Sequence, residues 1–313
     1  MRKFASDTLR AFLGLRHTWS YKSVAQSASV DIGGRLKDAF SWVHDDALTY
    51  SDDPVFIFSA GWRAGSTLLQ RMIMKNNNEI VIWGEPFHLS NIFDNMVNQF
   101  RCFTERYPRE EYFLSRRKGR GLSDQWVANL YPDVEDLVNA HRRFFQVLFS
   151  DPASKLGAKR WGVKVVRLSI DHAIYLRRMF PQCKIIFTCR DPLDAYASFR
   201  KVHDAFFLRW PDKLVATPYA FGRHWADLMD GFLKNRSDVN GLLIRYEDLD
   251  EPDQVSRLEA YLGWPIPCAS SMERIAGDKM VGGIAGGNKI NLPILDRALL
   301  GMAVGTVRKC AGY

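Results

Sequence analysis

The chain has 313 residues, a formal net charge of +8 and a pI near 9.2, which favours anionic partners such as nucleotides, phosphorylated cofactors, nucleic acid or an acidic membrane face. Hydrophobic residues make up 47% of the sequence and charged residues 25%, proportions that exclude a largely disordered protein. At this length we expect one core with insertions rather than several domains.

Residues 1–50 are predicted to form a helical N-terminal extension. Phe4, Phe12 and Leu13 lie on one face among basic residues, so this helix could lie on an acidic bilayer or pack on its own domain. The apolar residues are too interrupted for a signal peptide, and no run of ~18 apolar residues occurs. Five cysteines without a CxxC pair argue against a disulfide framework or a zinc site. We therefore expect a cytoplasmic protein, with peripheral membrane association through this helix as the open alternative.

Residues 51–313 are predicted to form a single α/β domain. The predicted strands are VFIF, EIVIWG, RWGVKVV, CKIIFTCR and GLLIRYEDL, and segments with helical periodicity separate them, the longest around residues 217–235. Strands that are apolar throughout and alternate with helices indicate a parallel central sheet flanked by helices, with ligands at the carboxyl ends of the strands. Residues 88–160 are predicted to be a helical insertion near the site, and the glycine-rich segment 281–293 a mobile loop.

The first candidate site lies in VFIFSAGWRAGSTLLQRMIM, residues 55–74, which is predicted to run from a strand through a tight loop into a helix. The first N–H groups of a helix lack internal partners, and the helix dipole adds partial positive charge, so this loop can bind an anion. Gly61 and Gly65 let the backbone approach the anion, and Ser66 and Thr67 can donate hydroxyl groups.

The same loop differs from the phosphate-binding loop of a nucleotide kinase. A Walker loop reads GxxxxGK[ST], but here Ala60 stands at its first glycine and Ser66 at its lysine. Losing that lysine removes the contact that bridges the terminal phosphates of a triphosphate. Arg63 is the cation inside the loop, and its planar guanidinium could hold a phosphate and the bridging oxygen of a leaving group.

A second candidate site follows the predicted strand CKIIFTC. This strand delivers Arg190 at its carboxyl end, Pro192 opens a helix, and Ser198 lies about two turns into that helix. Ser198 could therefore reach a ligand at Arg190 only if the helix passes beside it. A lone arginine after a strand more often forms a surface ion pair. The prediction of a second anion site therefore depends on the presence of the first loop.

Together the two loops resemble those of the sulfotransferase family that uses 3′-phosphoadenosine 5′-phosphosulfate (PAPS). Members carry RxGST or KxGTT in a strand-loop-helix on the 5′-phosphosulfate. They hold the 3′-phosphate with a strand that ends in RDP and a serine eight residues after the arginine. The present chain has RAGST and RDP in this order, and LLIRYEDL and EAYLGWP resemble later segments of the family. The resemblance covers roughly residues 54–290 and implies a P-loop-NTPase-like sulfotransferase fold.

The resemblance implies a donor and a set of binding residues. PAPS is the donor, adenosine 3′,5′-bisphosphate (PAP) the product, and no metal is needed, because a sulfuryl group carries less charge than a phosphoryl group. Cytosolic members stack adenine on a tryptophan after the threonine pair, but Leu68 stands there, so another residue must hold the base. The implied nucleotide-binding residues are Arg63, Ala64, Gly65, Ser66, Thr67, Arg190, Ser198, Tyr246 and Lys289.

Sulfuryl transfer to a hydroxyl or amine by in-line displacement needs a base, cations on the leaving phosphate, and alignment. The predicted cations are Arg63 and Lys164, the latter resembling the family lysine near the sulfonate. Cytosolic members place a histidine base two residues after this lysine, where this chain has Val166. Glu85, at the end of a predicted strand, resembles the glutamate base of tyrosylprotein and many bacterial sulfotransferases, and His88 is the competing base.

Two other functions stay open from the sequence. One is a P-loop kinase or NTPase, which would require ATP and magnesium. The other is a non-catalytic basic module for nucleic acid or acidic membranes, suggested by the net charge and the run SRRKGRG, although no nucleic-acid-binding motif is present. For the sulfotransferase, the acceptor could be a carbohydrate, a peptide tyrosine, a lipid headgroup or a small metabolite.

Overall fold

A parallel five-stranded sheet forms the centre of the computed structural model, which describes residues 32–43, 52–75, 77–87, 90–117, 121–124, 127–200, 215, 217–272 and 292–313. Along the sheet the strand order is β2-β3-β1-β4-β5. Every adjacent pair is parallel, which confirms the predicted fold class. The strands are β1 (Val55–Ser59), β2 (Ile80–Gly84), β3 (Arg160–Val165), β4 (Lys184–Cys189) and β5 (Gly241–Arg245).

Helices precede, connect and follow these strands. They are α1 (Ile32–Phe40), α2 (Ser66–Met74), α3 (Ile92–Asn98), α4 (Val134–Phe145), α5 (Asp151–Lys155), α6 (Ile170–Met179), α7 (Pro192–Phe199), α8 (Pro218–Asn235), α9 (Pro252–Leu262) and α10 (Ile294–Cys310). A π-helical turn, Gln146–Ser150, joins α4 to α5. Among the described residues, no helix is both long and apolar enough to cross a bilayer.

The sheet is buried on both faces because alternate residues of each strand point to opposite sides. Phe56 and Phe58 of β1 belong to a large core with α1, α3, α4, α6 and α8. Val55 and Ile57 belong to a second core with α2 and α9. This is why the strand reads as an uninterrupted apolar run rather than an alternating one.

Capping side chains explain where two helices near the site begin. The Asp191 carboxylate accepts from the Leu193 backbone N–H at 2.9 Å and starts α7, whose first residue is Pro192. The Thr217 hydroxyl accepts from the Ala220 N–H at 3.1 Å at the start of α8. Such caps satisfy donors that lack partners inside the helix.

Several predicted boundaries differ from the structure. The strand predicted as GLLIRYEDL ends at Arg245, and the Tyr246–Asp248 segment forms a 3₁₀ turn instead. Helix α10 was not predicted, because its glycines at 301 and 305 lower helical propensity. The glycine-rich segment 281–291 and the amphipathic stretch before residue 32 lie outside the described residues.

The buried imidazole of His141 links stability to pH. Its Nδ1 lies 2.8 Å from the Tyr175 hydroxyl, and burial lowers the pKa of His141 from 6.5 to about 4. Between these values the unfolded chain binds the extra proton and the folded chain does not, so stability falls as pH drops from 6.5 to 4. The full loss from this group is about 3 kcal/mol.

The variant His141→Gln tests this link between stability and pH. Because it lacks the titrating imidazole, its unfolding free energy, measured by urea unfolding, should decline less between pH 7 and 4.5 than that of the parent protein. An equal decline in both proteins would show that His141 is not the group responsible.

Candidate functional site

The carboxyl ends of β1 and β4 lie side by side at the centre of the sheet. Phe58 pairs with Val165 of β3 on one side and with Phe187 of β4 on the other, so the three strands end at nearly the same level. Loops that follow neighbouring parallel strands meet at this edge, where open α/β sheets bind ligands. The two predicted anion sites follow β1 and β4, so strand order brings them together.

The loop after β1, residues 60–65, is held against β4 by Thr188. The Ala60 N–H donates to the Thr188 carbonyl at 2.9 Å, and the Thr188 hydroxyl donates to the Ala64 carbonyl at 3.2 Å. The loop is sharply turned, with φ of 80° at Gly61, 64° at Arg63 and 84° at Gly65. Its conformation is therefore fixed from both ends by buried hydrogen bonds.

Helix α2 starts directly at the end of this loop. Gly65 occupies the N-cap position, and no side chain of the described residues caps the helix there. The backbone N–H groups of Ser66 and Thr67 lie in its first turn, with Ser66 buried and Thr67 half-buried. An uncapped helix start beside an arginine is suited to an anion, as the sequence predicted.

A hydrogen bond joins the first loop to the second. Arg63 Nε donates to Ser198 Oγ at 3.0 Å, although the two residues are 135 positions apart. Helix α7 therefore passes beside the first loop, the condition under which Ser198 could reach a shared ligand. Arg63 holds a left-handed backbone conformation that costs a non-glycine residue about 1–2 kcal/mol, a strain typical of functional sites.

Arg190 and Tyr246 form the centre of the second loop. The Arg190 guanidinium carbon lies 4.5 Å from the centre of the Tyr246 ring, a cation–π contact. Arg190 Nε is buried without a hydrogen-bond partner among the described residues, an omission that costs about 1–3 kcal/mol. Burial raises the pKa of the Tyr246 phenol, opposed by the nearby charges of Arg190 and Arg63. A charged donor of this kind is suited to an anionic acceptor.

Groups from the C-terminal segment support this second loop. Arg308 Nη2 donates to Asp191 Oδ2 at 2.6 Å, and the Asp191 N–H donates to Glu247 at 3.0 Å. Glu247 also accepts from the Tyr313 hydroxyl at 2.7 Å. Burial, Cys189 and Glu247 raise the pKa of Tyr313, and burial raises the pKa of Cys189 to about 12, so both stay protonated.

Sequence reasoning missed this supporting network. Asp191 and Glu247 lie inside the recognised RDP and YED segments, but nothing in those motifs names their partners. Arg308 and Tyr313 lie in a segment for which no motif was found, so only the folded chain reveals them. Their side chains contact those of Cys189, Asp191 and Glu247, which surround Arg190 in the sequence or in space.

Glu85 and Lys164 form an ion pair at the carboxyl ends of β2 and β3. Gly84 at the end of β2 pairs with Lys164 in β3, and the Glu85 N–H donates to the Lys164 carbonyl at 2.9 Å. The register therefore sets the two side chains next to each other, and Lys164 Nζ donates to Glu85 Oε1. The Lys164 side chain is only 6% exposed and that of Glu85 30%, so this lysine does not face bulk solvent.

Four other residues singled out in the sequence remain to be placed. His88 and Lys289 lie outside the described residues. Val166, at the position of the cytosolic histidine, is buried with Trp62 in a small apolar cluster, and Leu68 is buried in the core beside α9. Leu68 therefore offers no surface for stacking an adenine.

Comparisons with known proteins found one family model and several solved structures. A family model described as "Sulfotransferase family" matches residues 54–267. Among solved structures, mouse sulfotransferase SULT7A1 complexed with PAP is 13% identical, with 86% of this chain and 71% of that chain covered and a TM-score of 0.36. Sulfotransferase STF9 from Mycobacterium avium is 15% identical, with 75% of this chain and 70% of that chain covered and a TM-score of 0.35. No curated protein matches the sequence significantly.

The close approach of Gly65 to Tyr246 can be tested against a matched glycine. A Cβ at Gly65 would lie 2.2 Å from Tyr246 Cδ2, whereas at Gly157, with the same φ of 84°, nothing lies within 4 Å. Gly157→Ala should lower the unfolding free energy by about 1 kcal/mol, the backbone cost alone. Gly65→Ala should lower it by a further ~1–3 kcal/mol from overpacking, measured by urea unfolding. Equal losses in the two variants would show that the ring does not pack on this glycine.

Proposed function

This chain belongs to the sulfotransferase family, and on that premise we propose that it transfers the sulfuryl group of PAPS to a hydroxyl or amine of an acceptor. The observation that carries this proposal is the hydrogen bond between Arg63 and Ser198. It joins two anion-binding loops into one site, as a nucleotide with separate 5′ and 3′ charged groups requires.

The described residues fit such a donor. The uncapped start of α2, with Arg63, Ser66 and Thr67, suits the 5′ phosphosulfate. The buried, unpartnered Nε of Arg190 together with Ser198 suits a 3′-phosphate, because a guanidinium gains most from a charged acceptor. When bound, PAPS supplies the sulfuryl group that the acceptor receives.

The two alternative functions fit less well. A kinase or NTPase needs a lysine at the position of Ser66, a buried residue whose hydroxyl cannot supply that charge. A purely electrostatic binding module needs neither a strained arginine nor a buried unmet donor, since surface lysines and arginines suffice for it. The two loops therefore support sulfuryl transfer over either alternative.

Glu85 and Lys164 are proposed as the base and one of the cations of the reaction. Glu85 would take the proton of the acceptor, and its carboxylate is held in place by the contact with Lys164. Lys164 has three N–H donors, so one can stay on Glu85 while the others turn to the leaving group. Arg63 would share the developing charge on the bridging oxygen.

The cytoplasmic location is also proposed. All five cysteines are free thiols, three of them exposed or half-buried, namely Cys102, Cys268 and Cys310. Free thiols persist in a reducing compartment.

Ligand-dependent stability separates the three functions. PAP at a hundredfold excess over its dissociation constant should stabilise the protein by about 2.7 kcal/mol. ATP with magnesium should add little stability, and an incubation with ³⁵S-labelled PAPS and a cell extract should yield a labelled product. Stabilisation by ATP and magnesium but not by PAP would favour the kinase, and no stabilisation by either would favour the binding module.

Glu85→Gln tests the proposed base. Removing the proton acceptor should lower kcat by about 10²–10⁴-fold, and the dissociation constant of PAP should change less than about threefold. The matched control is Glu79→Gln, because Glu79 pairs with Lys159 at the opposite, exposed end of the same two strands. A fully active Glu85→Gln enzyme would remove Glu85 from this role.

Arg190→Ala tests the proposed 3′-phosphate site. Loss of a charge-assisted hydrogen bond of about 1.5–3 kcal/mol should weaken PAP about 10–150-fold in calorimetry. Adenosine 5′-phosphosulfate lacks the 3′-phosphate, so its affinity should change less than about threefold. Arg178→Ala, which removes an exposed arginine of α6, serves as the control. Equal weakening of both nucleotides would argue against a specific 3′-phosphate contact.

A further inference from the structure

A cleft opens beside Glu85 where β2 and β3 end; we call it the Glu85 cleft. Most of the side chains that line it with Glu85 are apolar, among them Pro86, Phe87, Ile92 and Val166, and the polar ones are Asn91, Asp94 and Arg167. Phe87 is 62% exposed and holds a left-handed backbone with φ of 50°. An exposed aromatic in a strained conformation is typical of a contact surface. The part of an acceptor next to its nucleophilic atom therefore meets apolar groups.

A second cavity adjoins this cleft, because Asp94 and Arg167 line both. We call it the distal chamber. Its volume is about 190 Å³, below the roughly 300–1,000 Å³ of complete small-molecule pockets, so it has room for one end of an acceptor. Its walls are rich in hydrogen-bonding groups, including Asn98, Arg101 and Asp171.

Hydrogen bonds hold His172 in the wall of the chamber. The Ser169 backbone N–H donates to His172 Nδ1 at 3.2 Å, so this nitrogen is the acceptor of the ring and Nε2 is the donor. His172 Nε2 then donates to Asp94 at 2.9 Å. Burial raises the pKa of Asp94, but the hydrogen bond and the charge interaction with His172, together with the charges of Arg167 and Arg101, outweigh it and lower the pKa, so the carboxylate stays ionised.

Carboxylate and guanidinium groups line the chamber in equal number. The guanidinium groups are those of Arg101 and Arg167, and the carboxylates are those of Asp94 and Asp171. An anionic ligand group would meet the carboxylates and a cationic one the guanidinium groups, so neither gains a net attraction. A neutral group with several hydroxyls can accept from the arginines and donate to the carboxylates at once.

We propose that the acceptor is an amphipathic phenol or alcohol, with an apolar segment next to its nucleophilic oxygen and an uncharged, hydroxyl-rich end in the distal chamber. This inference rests on the proposed sulfuryl transfer and specifies its substrate class. The apolar segment lies in the Glu85 cleft, and Glu85 accepts the proton of the nucleophilic oxygen. Arg167 contacts the acceptor from both spaces, which makes it a specificity-determining residue.

Four phenols that differ only in the group opposite the hydroxyl test this class. Hydroquinone carries a second hydroxyl, 4-hydroxyphenyl β-D-glucoside a neutral polyol, 4-hydroxybenzoate an anion and tyramine a cation. The glucoside should exceed hydroquinone in kcat/KM by about tenfold or more, and neither charged phenol should exceed hydroquinone. A charged phenol that matches or exceeds the glucoside would overturn the proposal.

Two variants make the charge balance itself measurable. Arg167→Met leaves the chamber with excess negative charge and should raise the ratio of tyramine to 4-hydroxybenzoate turnover about fivefold or more. Asp171→Asn should shift the same ratio in the opposite direction. Opposite shifts cannot come from a general folding defect, and the absence of both would show that the chamber does not contact the acceptor.

Binding measurements separate this proposal from the proposed function. Calorimetry of the four phenols in the presence of PAP ranks their affinities without turnover. If the protein binds PAP and binds the glucoside more tightly than the other phenols but sulfates none of them, the proposed sulfuryl transfer to phenols is wrong. The assignment of the distal chamber to a neutral polyol is then still supported. If hydroquinone is sulfated but the glucoside is neither bound nor turned over better, the reaction stands and the chamber assignment is wrong.

Discussion

The hydrogen bond from Arg63 to Ser198 depends on the placement of β4 directly beside β1. Each strand is followed by its own loop and helix, and adjacent parallel strands set these loops against each other at one edge of the sheet. Thr188 strengthens the junction, because its carbonyl and hydroxyl both bond the first loop from within β4. A change in strand order would separate the two loops, and they could not then share the proposed nucleotide, which is charged at both ends.

The second loop is rigid for a different reason. Within the described part of the chain, Arg190 keeps a buried donor without a partner, a cost that persists only where the surroundings fix the backbone. Trp225 donates to the Arg190 carbonyl at 3.1 Å, and the next residue, Asp191, is held by Arg308 and Glu247. Three parts of the chain thus hold the backbone at Arg190, which would lower the ordering cost of binding the proposed 3′-phosphate.

The sequence predicted the sheet, both loops and the separate residues Glu85 and Lys164, because these depend on local patterns: apolar runs, glycines in tight turns and residues at strand ends. It could not predict that Lys164 and Glu85 touch, since this follows from the register between β2 and β3. It also placed Tyr246 in a strand, whereas the chain turns there so that the ring packs on Gly65 and under Arg190. Contacts that depend on tertiary register leave no periodic trace in a sequence.

Strands β2 and β3 carry a glutamate–lysine pair at each end, and only the environment distinguishes them. Glu79 and Lys159 are 62% and 74% exposed, so water screens their attraction and the pair contributes little. At the other end Lys164 is buried in the sheet edge and Glu85 faces a cleft, so their charges interact at lower dielectric. A buried ammonium with a single acidic partner is costly unless a further anion shares it. The arrangement is therefore most favourable when a negatively charged ligand lies beside Lys164, which is the condition that the proposed reaction would provide.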